Sequence, residues 1–439
     1  MQKKSLYWNN QPGHLPHRGL RRNYQLTMKK PTLVFYYSML LFLFISCSKS
    51  ENNSQMAVAE TPRKTIVLAI DGGGIKGLIP ALILKSIEDS IKKQSFQIFD
   101  LIGGNSTGGI IAVGLTSKNN VSGHPFSAAE ISSIYETNGD KIFVPQKSLL
   151  REKYYAKYYA VDHRDKGIEP YLQSLVGSTT KLRHSHAYIR SLKDTRVKQM
   201  FTTSYIVNSK GGKIENPVIN TDSGPFLFNW YDADSLPNNR DYYLWEAARG
   251  SSAAPIYFPI AHVGGNTGDR SDADEKWVVD GGVMSNDPAV WGVSEALRTG
   301  LAKRLEDIIV ISLGTGIYRA NTGVGITNQR DMIPKSGNWG EGPWMGIPEA
   351  IYNLEEEKTA SLMYIMMDAV QLVSDSQMKA FEHAGLKYLR LEPSLALEQA
   401  AMDNIDSTNI KSLKDTVEHY LAGDGRSTFK EIINILKNQ

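Results

Sequence analysis

Cysteine is almost missing from this chain of 439 residues: there is one, Cys47. A single thiol excludes an internal disulfide and any cysteine-rich metal site. A charge excess is missing too. Lys and Arg number 49 and Asp and Glu 46, a formal net charge of +3. That is too little to argue for a nucleic-acid partner, and no run of Lys and Arg with interleaved aromatics stands out in the body of the chain. There is no internal repeat and no long low-complexity tract. The apolar run near the N-terminus is short for a bilayer span, which takes about 20 residues. What is left is an ordinary balance, 41% hydrophobic and 22% charged, with ample material for a large core.

That N-terminal run, PTLVFYYSMLLFLFISCSKS, follows Lys29 and Lys30 and has the length of a signal-peptide core. Leu43-Phe44-Ile45-Ser46-Cys47 resembles a bacterial lipobox, with Phe44 where leucine is usual. The expectation is a signal peptide over 28–46, acylation of Cys47 and a polar lipidated tether over 47–64, holding the protein on the cell envelope. Several acyl chains would anchor it, since one alone binds only marginally. Met28-Lys29-Lys30 is itself a normal signal-peptide start. Residues 1–27 are therefore expected to be a start-site artefact or disordered.

The body opens with the apolar strand Thr65–Ile70. Gly72-Gly73-Gly74-Ile75-Lys76-Gly77 and the helix-like LIPALILKSIEDSIKK follow. A second strand, Phe96–Gly103, runs into Gly104-Asn105-Ser106-Thr107-Gly108-Gly109 and the apolar IIAVGL. Strand, glycine turn and helix twice in succession predict an α/β fold with parallel strands. The middle, roughly Ser127–Ser223, is richer in helix-like and basic-aromatic patterns. Strand signals return at FTTSYIV, KIENPVI, KWVVD and DIIVISL, with a helix-like VWGVSEALRTGL before the last. The part beyond about 340 reads as mainly helical. With no linker in sight, 65–439 is expected to be one domain.

Gly104-Asn105-Ser106-Thr107-Gly108 is G-x-S-x-G between a strand and a helix, the pattern of a nucleophile elbow. It would lift the Ser106 hydroxyl above the strand end, close to unpaired helical amides. A serine needs a base. His383 and His419 fall inside helix-like stretches, not in the loop after a strand. Asp280, in Val278-Val279-Asp280-Gly281-Gly282, ends an apolar strand and is the better candidate. Partial burial would raise its pKa toward the working pH. Asp287 is a rival carboxylate whose following proline suggests a turn.

The first glycine turn also fits the dinucleotide pattern G-x-G-x-x-G, with Asp100 near the distance expected of a ribose-binding acid. The end of the second strand is already occupied by the serine turn, however. A glycine loop entering a helix can hold an oxyanion by the same physics that cradles a phosphate. Lys76 could touch that charge directly or simply pack. His184-Ser185-His186 would put both rings on one face of a strand, but no carboxylate or cysteine neighbour completes a metal site. Tyr154–Tyr159 reads as an amphipathic helix packing its tyrosines on the core.

Taken in order, Asp71-Gly72-Gly73-Gly74-Ile75-Lys76-Gly77, Gly104-Asn105-Ser106-Thr107-Gly108 and Asp280-Gly281-Gly282 resemble the patatin family of lipid acyl hydrolases. Ser251–Pro259, Asn286-Asp287-Pro288 and Ser312–Gly316 resemble further family blocks. The likeness runs over the core motifs, 65–316. It implies a single-domain, three-layer α/β/α fold with a mostly parallel central sheet. It implies a Ser–Asp dyad without histidine, with Ser106 as nucleophile, Asp280 as base and the Gly72, Gly73 and Gly74 amides as oxyanion hole. Asp71, Lys76, Gly77, Gly104, Thr107, Gly108, Gly281 and Gly282 would support those motifs. It implies no metal and no cofactor, and fatty acyl esters such as phospholipids or galactolipids at a membrane surface as substrate. An acyltransferase with the same dyad, a dinucleotide-binding oxidoreductase and a non-catalytic lipid-binding lipoprotein are the alternatives left open. Oligomeric state is not legible.

Overall fold

The computed structural model describes residues 63–146, 155–209, 223–264, 275–318 and 362–439. The signal segment, Cys47, most of the tether and the strand expected at KIENPVI lie outside these residues. Ten strands are described: β1 (Thr65–Ile70), β2 (Leu101–Asn105), β3 (Gln199–Ser209), β4 (Gly224–Asn229), β5 (Ala261–Val263), β6 (Lys276–Asp280), β7 (Ile308–Leu313), β8 (Ile317–Tyr318), β9 (Lys387–Leu391) and β10 (Ser394–Leu395). Helices that shape the site are α1 (Leu78–Ile91), α2 (Thr107–Leu115), α3 (Ala128–Thr137), α4 (Leu244–Ser251), α5 (Ala289–Arg298), α6 (Leu362–His383), α7 (Ser407–Ala422) and α8 (Arg426–Lys437).

The main sheet has the order β5-β6-β3-β2-β1-β7-β9, with β4 also paired to β3. β3, β2, β1, β7 and β9 run parallel, while β4, β5 and β6 pair antiparallel. β1 is the central strand and is apolar at every position from Ile66 to Ile70, because both of its faces are covered. Ile66, Leu68 and Ile70 pack on the side of α1, α3, α7 and α8. Val67 and Ala69 pack on the side of α5 and α6. This alternation creates the three layers. Each fully buried Ile or Leu contributes about 1.5–3 kcal/mol.

Three expectations shift. The second strand begins at Leu101, and Ser95–Ile98 is a helical turn, because Gln94 and Gln97 close a capping box there. The C-terminal part, expected to be mainly helical, also carries two short strands. KYLRL becomes β9, whose outward side is covered by α8, with Lys387 paired to Glu431 at 2.5 Å. The tyrosine run is not a helix either. Tyr158 bridges to Pro145 and donates its amide to the Tyr257 carbonyl, its ring packed on Phe143 and Phe258, while Tyr155 is exposed. Among the described residues no helix is long and apolar enough to cross a membrane.

Gly103 tests the tightness of this sheet, since a β-carbon there would run into the buried Phe201 ring on the neighbouring strand. Gly103→Ala is expected to cost about 1–3 kcal/mol by overpacking. Chemical denaturation of the two proteins measures it.

Candidate active site

β2 ends at Asn105 and α2 begins at Thr107, so the whole turn is one residue, Ser106. Its φ of 53° and ψ of −120° lie in the left-handed region, which costs a residue with a β-carbon roughly 1–3 kcal/mol. The flanking glycines make the turn possible. A β-carbon on Gly104 would collide with the Gly108 carbonyl, and one on Gly108 with the Ile70 carbonyl. The Ser106 amide donates to Ser251 Oγ at 2.9 Å. The hydroxyl therefore stands at the amino end of a fully buried helix, beside its unpaired first-turn amides. Thr107 is turned away from it and exchanges hydrogen bonds with Tyr135 at 2.6 and 3.2 Å. Gly77 has to be small, since a β-carbon would strike both of those residues.

Asp280 reaches this point by a route that strand-end logic does not explain. β6 is antiparallel, so its carboxyl end faces the wrong way for a parallel-sheet site. The solution is the length of β3. Its first half pairs with β2, as far as Thr203 opposite Asn105. Its second half projects beyond the sheet, and β6 runs back along that projection until Asp280 lies opposite Ser204. Two strands thus converge on adjacent residues of a third. The Asp280 amide is held by the Ala253 carbonyl at 3.0 Å, two residues from Ser251, which holds the Ser106 amide. One short segment fixes both backbones.

The Asp280 carboxyl accepts a hydrogen bond from the Gly282 amide at 2.7 Å, and the Ser106 hydroxyl and the Asn105 side chain are polar neighbours that favour its ionised form. Gly281 is confined because a β-carbon would meet Thr203 and Asn105. Burial pushes the carboxyl up to about 6, only partly opposed by these groups and by the Arg249 charge. Arg249 is itself fully buried, paired with Glu169 at 3.1 Å and bonded to the Pro259 carbonyl at 2.7 Å. A hydroxyl beside a dehydrated carboxylate can give up its proton as it attacks an electrophile.

The glycine loop lies directly against the serine: a β-carbon on Gly72 would fall 3.0 Å from Ser106 Cβ. Its amides are not equivalent. Gly72 was expected to face an oxyanion, yet its N–H donates to the Asn286 carbonyl at 3.2 Å. The Gly73 and Gly74 amides have no hydrogen-bond partner among the described residues. Gly74 sits at φ +62°, packed against the Met402 carbonyl, which accepts the Ile75 amide at 2.8 Å. Lys76 is partly buried, and desolvation draws its ammonium down to about 8. Asp71 turns away from the serine and pairs with Arg390.

Other candidates separate from the site. Asp100 precedes β2, at the opposite end from the glycine turn, and binds Arg196 and the Ile66 amide at 2.8 Å each. It is thus in the wrong place for a ribose acid. Asp287 is buried and caps the start of α5 through the Ala289 amide at 2.9 Å. His383 and His419 are exposed on α6 and α7. His184 and His186 lie on a helix, Leu182–Ser191, where positions two apart do not face each other. His186 instead bonds Asp234 at 2.7 Å and stacks on Trp230. Among the described residues no group of three or more His, Cys, Asp or Glu is placed to hold a metal.

Fold and site together set a strained serine, a buried carboxylate and two amides without partners among the described residues side by side in a three-layer α/β/α fold. The model of the patatin-like phospholipase family matches residues 68–290, half of the chain, and the protein belongs to that family. Patatin-T5 of Solanum tuberosum is 26% identical over 423 residues, covering 90% of this chain and 93% of the relative. Patatin-like protein 2 of Arabidopsis thaliana is 27% identical, covering 81% and 82%. The solved structure of VipD from Legionella pneumophila is 11% identical with a TM-score of 0.34, covering 86% of this chain and 85% of that one. That last likeness is too loose to carry weight. The protein is a lipid acyl hydrolase, and its substrate is a lipid.

The Asp280 carboxyl predicts a stability signature. Unfolded, it ionises near its ordinary value of 3.8; folded, near 6. A folded pKa above the unfolded one means stability that is present below about pH 4 and lost as pH rises through 6. The loss is on the order of 3 kcal/mol. Asp280→Asn is therefore expected to melt higher than the parent at pH 8, with the gap closing below pH 4, as thermal melts across pH will show.

Proposed function

We propose that Ser106 and Asp280 form the catalytic dyad of this hydrolase and that the Gly73 and Gly74 amides form its oxyanion hole. The observation that carries the reading is the placement of the strained Ser106 at the strand end next to Asp280, a carboxyl raised to about 6 by burial, with Asn105 and Asp280 opposite adjacent residues of β3. Ser106 Oγ attacks the ester carbonyl carbon while its proton passes to Asp280. The carbonyl oxygen becomes an oxyanion held by the two amides. Collapse expels the alcohol, which takes the proton from Asp280 and leaves an acyl-serine. Water then attacks the acyl carbon, gives its proton to Asp280, and the fatty acid departs as the proton returns to Ser106. Each step is neutral in protons, so the dyad needs no second base. An oxyanion-hole donor is typically worth about 10²–10³ in rate.

The reading includes a lipid surface as workplace. It is supported by the match to phospholipases and by the lipobox-like stretch ending at Cys47. Mass spectrometry of the native N-terminus is expected to find a mature chain beginning with acylated Cys47. An unmodified cysteine within a longer chain would remove the anchor from the proposal.

Ser106→Ala is expected to abolish release of fatty acid from phospholipid vesicles and labelling by an organophosphonate. Retained labelling would assign the nucleophile elsewhere. Because Asp280 acts in its ionised form, kcat/KM of the parent enzyme should fall tenfold per pH unit below about 6 and level off above it. A profile flat from pH 4 to 8 would remove Asp280 from the role of base.

A further inference from the structure

Arg390 stands near the end of β9, outside the 68–290 segment that the family model covers. It is nearly buried and lies one strand beyond β7, opposite Ser312, which itself lies opposite Ala69 of β1. From there its guanidinium reaches across the sheet end. It grips Asp71 with both Nη atoms, at 2.6 and 3.3 Å, and donates to Ser312 Oγ at 2.6 Å. It also pairs with Asp287 at 3.5 Å, Asp375 at 3.7 Å and Glu392.

Two of these partners flank one hydrogen bond. Asp71 precedes Gly72, and Asp287 follows Asn286. The Gly72 amide and the Asn286 carbonyl are the pair that joins the glycine loop to the segment after β6. Asn286 also receives the Asn105 amide at 3.4 Å, next to the serine. Gly72 has no side chain to hold it, and the next two amides hang from it.

We propose that Arg390 is a positioning residue for the glycine loop. Its planar fork fixes segments 71–72 and 286–287 against each other and so aims the Gly73 and Gly74 amides at the developing oxyanion. This rests on the oxyanion reading above. A bidentate fork sets orientation as well as charge, which an ammonium cannot do.

Arg390→Lys keeps the charge, and so the compensation of the buried carboxylates, but removes the fork. With a soluble short-chain ester, kcat is expected to fall roughly 10–100-fold, as for a misaligned catalytic group. KM should stay within twofold and the acid limb of the pH profile should not move, because Asp280 is untouched. A structural role alone would lower the melting temperature without this split. Should the lysine variant fail to fold, Asp71→Asn, which keeps the shape and weakens the grip, is read the same way. Folded variants with kcat within twofold of the parent, or with the loss in KM or in the acid limb, overturn the proposal. Ser106→Ala separates the two readings. If it stays active the dyad reading fails. If it is dead while Arg390→Lys and Asp71→Asn turn over normally, only the positioning role fails.

Discussion

A carboxylate starved of water, set beside a strained serine, is the constraint around which this protein is arranged. Neither partner would be reactive alone. In water the carboxylate is too weak a base, and a serine hydroxyl keeps its proton. Burial changes the carboxylate by making its charged form costly. The surrounding donors, Gly282 and Asn105, keep that cost from becoming complete. Too many donors would return Asp280 to its ordinary acidity. Too few would leave it protonated through the neutral range. The fold therefore has to supply dehydration and two or three well-placed hydrogen bonds at once.

Backbone geometry supplies them. β3 is long enough to pair with a parallel neighbour along its first half and an antiparallel one along its second. It brings together two strand ends that sheet topology would otherwise keep apart. The Ser251–Ala253 segment then fastens the backbone amides of both residues. The glycine loop closes the third side, held by Asn286, by Met402 and through Asp71 by Arg390. Most of this scaffold consists of main-chain contacts, which a point substitution elsewhere disturbs little.

Much of the frame was legible in the sequence because its signals are local. The apolar run Ile66–Ile70, the glycines around Ser106 and the strand ending at Asp280 each announce themselves within a few residues, and all three meet at one point. What escaped was set by distant partners. The Gly72 amide was expected to be free, and only the fold shows Asn286 occupying it. Asp280 stands out in the sequence because it ends a strand, yet that strand is antiparallel and its place at the site lies in the length of β3. Arg390 is 319 residues from Asp71, in a stretch that reads as helical, and no local pattern marks it. The phenylalanine-rich start of the second strand looked extended because a helical turn of four residues is shorter than any period can resolve.

The backward-bent serine has a consequence for the durability of the molecule. At φ 53° Ser106 is the residue in this turn that would rather be glycine. Evolution keeps it there under load, and next to it keeps an ion that would rather be in water. Reactivity and longevity thus pull against each other over two neighbouring side chains. On the proposed reading, selection for heat resistance alone, with no lipid to digest, would erase those two first and leave behind a sturdier protein that does nothing.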